Sequence, residues 1–145
     1  MQLKVMKKEV QNIYDLHEQT VQWINEIEFM ADEEVFLEHL LSAHFLDLSS
    51  AKLYDTTQKL IRKLKESGTL GKDLMERIRA HNKHVGVVIE TFNKEYDKEV
   101  DREHQSIKKD LDNYILKFRF VKKKIFNIIK EIMKDHKQKL LINKT

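Results

Sequence analysis

Apolar residues recur along this chain at three- and four-residue steps, the spacing that lines up one face of an α-helix. Val10, Ile13, His17, Thr20, Ile24 and Ile27 form the first stripe, widened by Leu16 and Trp23, and predict a helix over residues 3–29. The stretch "MADEEV" reads as a stop and restart, with Asp32 as N-cap and Glu33 and Glu34 at a helix's positive end. A second helix then spans 32–66, with Leu37, Leu40, His44, Leu48, Ala51, Ile61 and Leu64 on one side. "ESGTLGKDL" reads as the clearest break, Gly68 marking a C-terminal cap. The third helix, 70–97, carries Leu74, Ile78, His81, Val85, Val88 and Phe92. The fourth, 100–141, continues through Ile107, Leu111, Ile115, Phe118, Val121, Ile125, Ile128 and Ile132.

Between the last two stripes no Gly or Pro marks a turn, and we place one at Asp97–Asp101. Short connections make successive helices antiparallel, so the expectation is a single domain, 1–145, folded as an all-α, up-down-up-down four-helix bundle. The alternative is three helices, one of them running from 70 to 141. Ser49, Ser50 and Ala51 fall opposite Gly86 in the four-helix register, which suggests a close approach of two backbones there.

Composition supports the helical class. Proline is absent, there are three glycines, and 35% of residues are charged. No Asn-Gly or Asp-Gly hairpin signal occurs. The lack of cysteine excludes disulfides and thiolate metal sites. No apolar run reaches the ~18 residues of a membrane span, and the start lacks a signal-peptide core, so a cytoplasmic location is expected.

The net charge of +3 is unevenly spread: residues 116–145 carry ten Lys/Arg against Glu131 and Asp135, a net of +8, which leaves −5 on residues 1–115. The fourth helix is expected to outrun the third, so that Ile128, Ile129, Ile132, Met133 and Leu140 form an uncovered apolar strip. Phe120 and Phe126 lie off its main stripe. Phe120, Phe126, Ile129, Met133 and Leu140 are therefore the interface candidates, and a second copy of the chain is the expected cover.

Seven histidines raise metal chemistry. In the four-helix register His17, His44 and His104 fall at one level with Glu95 nearby, a donor set of the kind bundles use for transition metals. Against it, the Glu-x-x-His and His-x-x-x-Glu pairs of metal-carboxylate bundles are missing, and His81-x-x-His84 has the wrong spacing. No cofactor is expected. No Gly-rich phosphate loop or Ser/His/Asp grouping stands out, so no catalytic residue is assigned.

"LHEQTVQWINEIEF", with His17, Trp23, Asn25, Glu26 and Phe29, resembles the first helix of small uncharacterised helical proteins of environmental bacteria. The resemblance implies no activity and carries over no functional residue; His17 and Glu26 are the polar positions to examine in it. The reading is a non-catalytic structural or interaction module that self-associates. The alternatives are a metal-binding bundle and a nucleic-acid-associated protein using Lys122, Lys123 and Lys124. Nucleic acid is disfavoured because Arg119 is the segment's single arginine, and a membrane surface because any bundle helix shows the same amphipathic pattern.

Overall fold

The computed structural model describes residues 2–50, 52–91 and 94–143, with side chains over 13–50, 52–91 and 98–142. The protein is all-α: α1 spans Gln2–Ala43, the four-residue α2 Phe45–Leu48, α3 Tyr54–Thr91 and α4 Lys94–Asn143. Among the described residues there is no strand, and no helix is long and apolar enough to cross a membrane.

The expected helix ends are corrected at each boundary. α1 continues through "MADEEV". Ala31 is a strong helix former, and nothing there lacks an N–H or favours a left-handed backbone. The acidic residues have tertiary partners instead: Glu33 accepts a hydrogen bond from Lys122 Nζ at 2.6 Å, and Glu34 faces Gly68. α3 likewise runs through "ESGTLGKDL". A Cβ at Gly68 would run into the Glu34 carboxylate, so this glycine makes room for a neighbour's side chain and caps nothing.

The real interruption falls at "HFLDLSSAKL", where His44 and Ser49 flank α2. Ser49 Oγ donates to Phe45 O at 2.7 Å, and the Ser50 carbonyl accepts from the N–H groups of Leu53 and Tyr54 to start α3. Serine hydroxyls compete with the helix ladder for backbone partners, which explains a break without Gly or Pro. The last boundary lies between Thr91 and Lys94, earlier than Asp97–Asp101. Three long helices and a short one thus replace the four-way division at 3–29, 32–66, 70–97 and 100–141.

The chain divides into two compact units, Met1–Met30 with Leu70–Asn113, and Ala31–Thr69 with Tyr114–Thr145. In the first, α1 and α3 run antiparallel, as His17–Asn82 and Glu28–Arg79 contacts show, and so do α3 and α4, through Arg77–Asp110 and His84–Glu103. Ile13, Leu16, Val85, Val88 and Val100 form one apolar cluster here. In the second unit Lys122–Glu33 and His136–Asp47 place α4 parallel to the α1–α2 segment. Leu37, Leu64, Phe118, Val121 and Ile125 are buried in it.

Most of the described stripe positions are buried; His17 is exposed, and the side chains of Val10 and Phe92 lie outside the described residues. Leu74, Ile78, His81, Val85 and Val88 are buried on α3, and Phe118, Val121, Ile125, Ile128 and Ile132 on α4. The close approach expected at Gly86 is not found: a Cβ there meets nothing within 4 Å, and Ala51 lies outside the described residues. Gly86→Ala should therefore stabilise the protein by about 0.5–1 kcal/mol through lower backbone entropy in the unfolded chain. Urea unfolding of the two proteins checks this, and a destabilised variant would reveal a hidden contact.

Candidate functional site

The sequence candidates scatter. His17 is exposed and within 3.1 Å of Asn82 Oδ1. His44 is half-buried beside α2 in the second unit, Glu26 is exposed, and the Glu95 side chain lies outside the described residues. Of the three metal candidates whose side chains are described, His104 alone is buried, at 1% exposure. Among the described residues no group of three or more His, Asp or Glu is arranged to hold a metal ion.

The polar residues that do come together lie in the first unit. His81 sits on the α3 stripe between Ile78 and Val85 and is wholly buried. Its Nδ1 lies 2.5 Å from Glu103 Oε1, and its Nε2 lies 2.8 Å from Nδ1 of His104. His104 Nε2 reaches the Gln19 Oε1 at 2.7 Å. His84, one turn along α3, also donates from Nδ1 to Glu103, at 2.9 Å. Trp23 from α1 lies flat on His104, ring centroids 4.3 Å apart with planes 24° from parallel, and stacks at 6.5 Å on His81. Three helices thus contribute to one network: Gln19 and Trp23 from α1, His81 and His84 from α3, Glu103 and His104 from α4.

Two buried imidazoles end to end are electrostatically costly when charged. Burial, with the neighbouring charges of His81 and Lys108, lowers His104 to about 4, against a pull from Asp101. Burial also lowers His81, outweighing the hydrogen bond and charge of Glu103 that would raise it. For Glu103, burial would raise its carboxyl, but the hydrogen bonds from His84 and His81 prevail and hold it low. Both rings are buried, and each of their four nitrogens lies within hydrogen-bond distance of a partner.

The interface candidates on α4 divide. Phe120 is 53% exposed, held between the ammonium groups of Lys63 and Lys124 at 5.5 and 5.4 Å from its ring centroid. Phe126 is half-buried. Ile129 is buried together with Ile128 and Ile132, so the apolar strip expected from Ile128 onward is covered for its first turn. Exposure begins at Met133 and holds through Ile142, with Met133 at 57% and Leu140 at 63%. Lys122 is committed to Glu33, which removes one lysine from the basic face.

Comparison with family models, with curated proteins and with solved structures gives no match to this chain.

Proposed function

We propose that this protein is a non-catalytic helical-bundle interaction module that associates with a second copy of itself through the end of α4. One observation carries the reading: past Ile132 the helix continues for three turns with Met133, Leu140, Leu141 and Ile142 exposed among Lys134, Lys137 and Lys139. Each such aliphatic side chain gains roughly 1.5–3 kcal/mol when taken fully out of water, enough for a few of them to support a dimer. Charge favours the same chain as partner. The +8 of residues 116–145 meets the −5 of residues 1–115 when a second copy is brought up. Individual surface pairs contribute little, so this attraction selects the partner and the apolar residues hold it.

Light scattering across a concentration series tests this. The weight-average mass should rise above 17.4 kDa with concentration. Leu140→Glu combined with Leu141→Glu should return it to the monomer at every concentration, with helical content kept. A wild-type protein that is monomeric throughout sinks the proposal.

A further inference from the structure

Glu103, His81, His104 and Gln19 form a chain of three hydrogen bonds with an acceptor at each end, the Glu103 carboxylate, which His84 also reaches, and the Gln19 carbonyl oxygen. Three links need three protons, and all must sit on the four imidazole nitrogens. Two neutral imidazoles carry only two, because each has one N–H and one bare nitrogen. The chain in this arrangement is therefore complete only with one imidazolium in the pair.

We propose that the His81–His104 pair is a binding site for a single proton, and that its occupancy sets the orientation of the Gln19 side-chain amide. With the proton bound, His104 Nε2–H donates to Gln19 Oε1, the arrangement seen here. Without it, His81 Nδ1–H donates to Glu103, His104 Nδ1–H donates to His81 Nε2, and His104 Nε2 is bare. The Gln19 amide then turns over, and its NH2 donates to that nitrogen. The two ends of the amide have nearly the same shape, so the exchange costs no repacking.

Uptake balances in one step. Water reaches Gln19, which is exposed, and a proton from solvent forms the N–H at His104 Nε2. The proton between the rings can then pass from His104 Nδ1 to His81 Nε2 across 2.8 Å, leaving the positive charge beside Glu103. A second added proton would set N–H against N–H over that same distance, so the packed pair holds one and no more. The charged surroundings are mixed. From α4, Glu103 and Asp101 favour the cation and Lys108 opposes it; from α3, His84 opposes it when charged. From α1 the facing groups are uncharged, and the Trp23 ring offers its electron-rich face to His104.

The experiment uses the whole chain, labelled with 15N and titrated from pH 8 to pH 3. Above the midpoint both histidines should be Nδ1–H tautomers, and the Gln19 NH2 resonances should shift with the same midpoint as the imidazoles and as the emission of Trp23, the lone tryptophan. Gln19→Glu, which only accepts, should raise proton affinity at least tenfold. Glu103→Gln should lower it at least tenfold, with circular dichroism unchanged in both. Nε2–H tautomers above the midpoint, a Gln19 signal that does not titrate, or uptake of two protons in one step would each overturn the proposal.

Discussion

Between pH 7 and pH 4 the unfolding free energy is expected to fall by about 3 kcal/mol, the free energy of moving one histidine from 6.5 to about 4. The cause is that the unfolded chain binds protons the folded one refuses. His104, 1% exposed, titrates near 4 when folded and near its ordinary value when unfolded. Above 6.5 neither state binds the proton and the full stability is present. From 6.5 down to about 4 only the unfolded state gains it, so stability drains away; below about 4 the loss from this group is complete. His81 is also lowered, chiefly by burial, and adds loss over the same side of the scale. Glu103, held below 4.5 by His84 and His81 against the raising effect of its burial, loses its contribution as pH falls further, so all three act in one direction. The single proton that the folded pair accepts does not cancel the effect, since the unfolded chain binds one on each ring. Urea unfolding at pH 7, 5.5 and 4, at one protein concentration, measures it. His81→Leu together with His104→Leu should flatten most of the slope. Both members of the His81–His104 bond are then removed at once, Glu103 keeps His84, and Gln19 is exposed, which leaves stability near pH 7 little changed. A wild-type profile flat from pH 7 to pH 4 would refute the expectation.

The helical class and most of the core were legible in the sequence, because burial on a helix writes itself into residue spacing. Ile78, Val85, Phe118 and Ile125 are stripe positions, and all are fully buried or nearly so. Helix ends were not legible, since the residues that signal ends also serve tertiary contacts. Glu33 and Glu34 resemble a helix start but face Lys122 and Gly68, while the true break at Ser49–Ser50 carries no Gly or Pro. The same error hid the histidine pair. In an antiparallel hairpin every residue by which the turn is misplaced moves the partner by two, so a turn at Asp97–Asp101 assigns His104 to the wrong level of α3. With α3 ending at Thr91 and α4 starting at Lys94, His81 and His104 each stand ten residues from the turn. The available signal was His81 itself, a polar ring on the cleanest apolar stripe. A buried imidazole requires a partner, and none lies on its own helix face among Leu74, Ile78 and Val85.

Trp23→Ala is expected to cost about 3–5 kcal/mol, the range for losing a buried aromatic side chain. Trp23 is 8% exposed and is the α1 side chain stacked on both imidazoles, so its removal opens a cavity directly over the pair. The backbone there is interior helix, which collapses into such a space only partially. The loss also has an electrostatic consequence that sets it apart from an ordinary core truncation. Burial is the largest cause of the low His104 value, and Trp23 supplies part of that burial. Water admitted in its place should raise His104 toward 6.5, so the alanine variant should be less stable at pH 7 yet lose less on going from pH 7 to pH 4. Trp23→Phe keeps an aromatic face over His104 and should cost about 1–2 kcal/mol, with the acid slope retained. Imidazole NMR titrations read beside urea unfolding separate the two effects. If the alanine variant is destabilised while its histidines titrate as in the wild type, Trp23 is packing alone, and the low proton affinity of the pair arises from the two rings and their charged neighbours.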